Sequence, residues 1–135
     1  MARLLDSNLW IDLTRARSPR ALKQFVSPYI LDPQACLAEP IVFEVLRSAT
    51  DAEAIQLTRH FQTLPLLASP SDLWSVGMQL GRACRRVGIN AASIDLLIAA
   101  IAIHHRAELI TFDAGFEQIA SASSLNVRLL KRPIP

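Results

Sequence analysis

The stretch SIDLLIAAIAIHHRAELITFDAGFEQIA, from Ser93 to Ala120, reads as a helix, a strand and a second helix in quick succession. After Asp95 it runs from Leu96 to Ile103 without a polar side chain, as suits a buried helix from Ile94 to His105 with Ser93 or a neighbour as its cap. Glu108 to Thr111 then reads as a strand, and Ala114 to Ala120 as a short helix. Asp95 is the only charge in the apolar run. A buried carboxylate needs a partner, and a metal ion is a good one.

The same alternation extends to both ends of the chain. A strand at Arg3 to Leu5 meets Asp6, Ser7 and Asn8, which can cap a short helix from Leu9 to Leu13. A basic loop from Arg15 to Pro19 leads into a helix from Arg20 to about Tyr29, and a second strand covers Cys36 to Ala38. Pro40 suits the first turn of a helix from Ile41 to Ser48, and Thr50 or Asp51 caps another that reaches Phe61. Leu64 to Leu67 is a short strand whose Pro65 argues for a sheet edge. Pro70 to Arg86 has the pattern of a long amphipathic helix ended by Gly88, and Val127 to Leu130 is the last strand. Strands alternating with helices predict an α/β chain, a three-layer α/β/α sandwich around a parallel sheet of four to five strands.

With 135 residues, 51% hydrophobic content and a net charge of +2, the chain is expected to form a single domain over residues 1–135. Its small basic excess permits a nucleic-acid partner without demanding one. Cys36 and Cys84 read as reduced core thiols rather than a disulfide, and Trp10 and Trp74 as core residues. The apolar stretch before Asp6 is too short for a signal peptide, and no apolar run reaches membrane-spanning length. A cytoplasmic location without membrane attachment is expected.

In parallel sheets ligands bind beyond the carboxyl ends of the strands. Asp6 and Asp113 fall just after strands, while Glu44 and Asp95 lie in helices that could face the same rim. Converging carboxylates repel one another unless a cation neutralises them. Their oxygens favour a hard ion, Mg2+ or Mn2+, whereas the cysteines and histidines are not spaced for zinc. Such an ion polarises a phosphodiester and activates water, so backbone hydrolysis needs no protein nucleophile. Each acid also has a plain structural reading. Asp6 could be only a helix cap, Asp95 only a first-turn acid favoured by the helix dipole, and Asp113 only the start of the next helix. Glu44 competes with its neighbour Glu39 for its assignment.

With LLDSNLWIDL at Leu4 to Leu13 and EPIVFEVLRSA at Glu39 to Ala49, the stretch from Ser93 to Ala120 resembles the PIN-domain ribonucleases, in particular the toxin subunit of VapBC-type toxin-antitoxin pairs. The resemblance implies a Mg2+- or Mn2+-dependent endoribonuclease in which Asp6, Glu44, Asp95 and Asp113 match the acidic metal-binding positions. Asn8 and Thr111 match positions that orient the site, a task Ser7 could share. It further implies RNA, plausibly transfer or ribosomal RNA, as substrate, a toxin dimer, and a cognate antitoxin whose C-terminal segment blocks the acidic site. Many relatives carry another acid where this chain has Gly115, which leaves one carboxylate fewer and a weaker second metal position. Glu117, one turn on, is expected to face solvent.

Two groups of basic residues are candidates for holding RNA phosphates. Arg15, Arg17, Arg20 and Lys23 lie near the first loop, and Arg82, Arg85 and Arg86 end the long helix. The alternative function is a non-catalytic PIN-like RNA-binding or regulatory module, which Gly115 keeps open. A phosphoacceptor receiver domain fits less well, because its strand-end Asp and late Lys are absent from the expected places.

Overall fold

The computed structural model describes residues 1–134, and over them the apolar runs become five strands and seven helices. In chain order these are β1 (Arg3–Leu5), α1 (Ser7–Thr14), α2 (Arg20–Ile30), β2 (Ala35–Ala38), α3 (Glu39–Ser48) and α4 (Asp51–Phe61). There follow β3 (Leu66–Leu67), α5 (Leu73–Arg86), α6 (Ser93–His104), β4 (Glu108–Thr111), α7 (Gly115–Ser121) and β5 (Asn126–Leu129). All strands pair in parallel in the order β3-β2-β1-β4-β5, and with the helices they make the three-layer α/β/α sandwich.

The order puts β1 at the centre, where Leu4 lies opposite both Cys36 and Leu109 and Leu5 opposite Ile110. A central parallel strand is covered on both faces, so its side chains must be apolar throughout rather than alternating. Leu4, Leu5, Leu109 and Ile110 are accordingly fully buried, and all four residues of β2 are buried beside them. In α6 the residues Ile98–Ala102 are consecutive and all buried, as a helix apolar on every side requires. Cys36 and Cys84 are buried and unbridged.

Element ends differ from the sequence reading in instructive ways. Asp6 itself caps α1, so the helix begins at Ser7 rather than Leu9. Glu39 and Pro40 already belong to the first turn of α3. The long helix starts at Leu73, not Pro70, because the Pro70 carbonyl accepts the Leu73 N–H in a turn that precedes it. Ser93 is not the cap of α6: Ala92 holds that position without a side-chain hydrogen bond. Thr50 caps α4 in a reciprocal box with Glu53. β3 is a two-residue edge strand, as Pro65 suggested, and the Pro65 carbonyl accepts the Leu37 N–H.

Trp74 corrects the expectation of a core position, being 77% exposed. The buried positions of α5 are Leu73, Gly77, Leu80 and Cys84, spaced by four, three and four residues along one face. Trp74, one step round the helix from Leu73, must point outward. Trp10 does enter the core, its ring edge-on to those of Phe61 and His60 at 4.9 and 5.1 Å. Among the described residues no helix is long and apolar enough to cross a membrane.

Candidate metal centre at the carboxyl rim

Asp6 stands where the central strand hands the chain to its first helix. Its N–H is still paired to the Ile110 carbonyl of β4, while its Oδ1 accepts the Ser7 N–H at 2.8 Å to cap α1. Oδ2 accepts the Thr111 hydroxyl at 2.6 Å and the Asn8 amide at 3.3 Å. The same Thr111 hydroxyl accepts the Asp113 N–H at 3.0 Å and the Asn8 amide at 3.3 Å. Side chains from two adjacent strand ends are thereby locked together. Asp6 is a helix cap and a rim carboxylate at once, so its two readings were never exclusive. Asn8 and Thr111 hydrogen-bond to it through their side chains, and Ser7 through its backbone N–H.

This carboxylate is only 3% exposed and has no cationic partner among the described residues. Burial pushes its pKa up to about 6, against the lowering effect of the Thr111 and Ser7 hydrogen bonds. The negative charges of Glu44 and Asp113 push in the same direction as burial.

Asp95 is half-buried rather than a core residue. It occupies the first turn of α6, where the helix emerges at the rim, and the fully apolar part of the helix begins three residues later at Ile98. Its pKa is also raised to about 6, first by burial and then by the charges of Asp113, Asp6 and Glu44. Glu44, half-buried in α3, is therefore the acid that shares this field. Its competitor Glu39 is exposed and accepts a weak hydrogen bond from Ser69 at 3.4 Å.

Asp113 is exposed, and its Oδ1 accepts the Gly115 N–H at 2.8 Å at the start of α7. A Cβ on Gly115 would lie 3.1 Å from that same oxygen, so an acid there would crowd the carboxylate already present. Glu117 is exposed, as expected. Asp6, Asn8, Thr111 and Asp113 are joined by hydrogen bonds, whereas Glu44 and Asp95 are linked to the group only through like-charge repulsion. Among the described residues no three of these acids close to the spacing of ligands on one ion. They interact at the longer range over which like charges still repel.

One residue that the sequence did not single out steadies this rim. Arg132 donates to Asp12 of α1 at 2.9 Å, and its guanidinium lies 4.5 Å from the centre of the Phe112 ring. Phe112 immediately precedes Asp113, and its N–H is directed at Asn8 Oδ1 at 3.5 Å. No local signal marks Arg132, because its partners lie twenty and one hundred and twenty residues away. The two basic groups are both exposed at their arginines, and Arg82, Arg85 and Arg86 line one cavity of about 330 Å³. Arg15 instead lines a narrow crevice with Glu53 and Ser48.

A five-stranded parallel sheet with acids gathered at its carboxyl rim is the arrangement of a PIN domain. The family model for the PIN domain matches residues 3–122, and the chain belongs to the PIN-domain family. Over 127 residues it is 34% identical to VapC ribonuclease Mb1587 of Mycobacterium bovis, the alignment covering 90% of this chain and 94% of that one. Ribonuclease VapC11 of Mycobacterium tuberculosis matches to the same extent. In three dimensions the chain superposes on VapBC2 of Rickettsia felis, solved with a promoter DNA fragment, with a TM-score of 0.75 over 97% of this chain and 100% of that one. At 15% identity that likeness shows a shared fold.

Proposed function

We propose that the chain, acting as a single PIN domain over residues 1–135, is a divalent-metal-dependent endoribonuclease and the toxin of a VapBC-type pair. The observation that carries this reading is Asp6: a buried carboxylate with a raised pKa, held by Thr111, Asn8 and Ser7 in the field of Glu44 and Asp113. Evolution of a stable scaffold alone gives no reason to gather four carboxylates there, since each raises the cost of the others. The relatives named VapC ribonucleases supply the substrate class.

The donor set fits Mg2+ or Mn2+: it is all oxygen, and Glu44, Asp95 and Asp113 are exposed enough to turn toward a shared ion. When bound, such an ion polarises the scissile phosphate and makes water a better nucleophile at neutral pH. Asp6, rigid and buried, would be the fixed ligand, with Asp95, Asp113 and Glu44 completing the set. Thr111 and Asn8 hold the Asp6 carboxylate in one orientation, which second-sphere partners of metal ligands commonly do. With Gly115 in place of a further acid, one firmly held ion is expected, and a second is recruited only with RNA.

The natural setting in this reading is the cytoplasm, with transfer or ribosomal RNA as substrate. A cognate antitoxin would cover the rim, and a homodimer or toxin-antitoxin hetero-oligomer would be the resting form. The solved structures of VapBC2 from Rickettsia felis and VapBC-1 from Haemophilus influenzae, which share this fold, support the partner. Purified chain freed of any partner should cut RNA when Mg2+ or Mn2+ is supplied and stop when EDTA is added. Cleavage that persists in EDTA would refute the metal-dependent reading.

A further inference from the structure

The arginines of this chain fall into two kinds. Arg3 pairs with Asp32 at 2.6 Å and with Glu108 at 3.4 Å, Arg128 with Glu108 at 3.4 Å, and Arg132 with Asp12 at 2.9 Å. These hold strands and termini in place. Arg82, Arg85 and Arg86 have no acidic partner among the described residues, yet all three line the same cavity of about 330 Å³. Their spacing of three and four residues puts them on one face of the last turns of α5.

A helix C-terminus favours positive charge by its dipole, so one arginine there would be unremarkable. Three unpaired guanidinium groups around one hollow are a different matter, because together they concentrate positive charge that an anion would neutralise. Each presents a planar fork suited to phosphate oxygens. The cavity is several times the volume of a water molecule, large enough for a phosphodiester segment with its hydration.

Position decides which anion. α5 and α6 are joined by residues 87–92 and pack against each other, Gly81 so closely that an added Cβ would come within 2.9 Å of Leu96 Cδ1. Leu96 follows Asp95. Arg82 directly follows Gly81, so the arginine group begins beside the stretch of α5 that packs against the first turn of α6, and only residues 87–92 separate its end from that turn. A polyanion reaching the acidic rim is repelled by it and needs a positive anchor alongside.

We infer that Arg82, Arg85 and Arg86 form a phosphate-binding pocket that anchors the RNA backbone beside the acidic rim. This rests on the ribonuclease reading for the identity of the polyanion. It assigns substrate attachment to the end of α5 and not to the loop carrying Arg15, Arg17 and Arg20.

The experiment measures binding without cleavage, using the full chain with Asp6→Asn and a short labelled single-stranded RNA of mixed sequence, followed by fluorescence anisotropy across a salt series. Replacing the three arginines (R82Q/R85Q/R86Q) should weaken binding on the order of tenfold at near-physiological salt and lower the slope of log affinity against log salt by about two. The matching R15Q/R17Q/R20Q chain should change much less. Lysine at the α5 positions should keep the slope and lose part of the affinity, since charge remains but the fork is gone. Unchanged binding in R82Q/R85Q/R86Q overturns the pocket. Equal losses in the two glutamine triples also overturn it, because attraction would then follow overall charge. If the native chain fails to cut RNA while binding follows the expected pattern, the hydrolytic reading falls and the anchor stands.

Discussion

Asp6 concentrates the tension between folding and function in a single side chain. Capping α1 and bonding to Thr111 stabilise its position, but burial and the neighbouring acids penalise its charge. The pH dependence follows from that penalty. Its pKa of about 6 in the folded chain exceeds the ordinary 3.8, so between those values the folded state binds more protons than the unfolded state. Without divalent metal, the contribution of Asp6 to stability should therefore be fully present below about pH 4 and be lost as pH rises through 6, on the order of 2–3 kcal/mol. Asp95 shifts the same way, but it is half-exposed, and solvent screening reduces its share. Mn2+ should recover much of this loss at pH 7.5 and little at pH 4.5, where protonated carboxylates bind cations poorly. Urea titrations at the two pH values, with and without Mn2+, measure both effects. Stability that rises with pH in metal-free buffer would show that Asp6 is not held in the charged, unpaired state described here.

At the scale of elements, the α5–α6 pair connects packing to the site, because it sets where Asp95 and the arginines sit. Gly77 and Gly81 allow the two helices to approach, with Leu97 and Leu96 filling the space that side chains at the glycines would take. Replacing Gly81 by Ala adds a methyl group against the mobile end of Leu96, while a helix interior gains about 1 kcal/mol from the same change. The two effects should nearly cancel. Gly81→Val adds β-branched bulk and should cost about 1–3 kcal/mol through overpacking. Thermal melts of the two variants check this, and equal stability would mean that the helices are not in the close contact described. Much of this element was legible in the sequence. The run after Asp95 and the glycine after Arg86 and Val87 marked the two helices. The four-three-four spacing of Leu73, Gly77, Leu80 and Cys84 was also there to be read, and it would have turned Trp74 outward. Asp95 was harder. Composition shows an acid embedded in apolar sequence, but only the position of the helix start relative to the sheet shows that its first turn is at a rim and half-exposed.

Across the whole molecule, the alternation of strands and helices was enough for a parallel sheet covered on both faces, but not for the order β3-β2-β1-β4-β5. That order is what makes β1 and β4 neighbours and brings Asp6 to Thr111 across one hundred and five residues. The strap from Arg132 to Asp12 and Phe112 is equally long-range and left no pattern in the chain. Sequence could nominate the acids one by one, whereas topology decides which of them meet. If these acids form one metal-dependent hydrolytic site, RNA cleavage in Mn2+ will separate the native chain from Asp6→Asn and Asp95→Asn, each checked for native secondary structure by circular dichroism. Cleavage by the native chain, and its loss by at least two orders of magnitude in both folded variants, is the predicted result. Undiminished cleavage in both would contradict the assignment of the site.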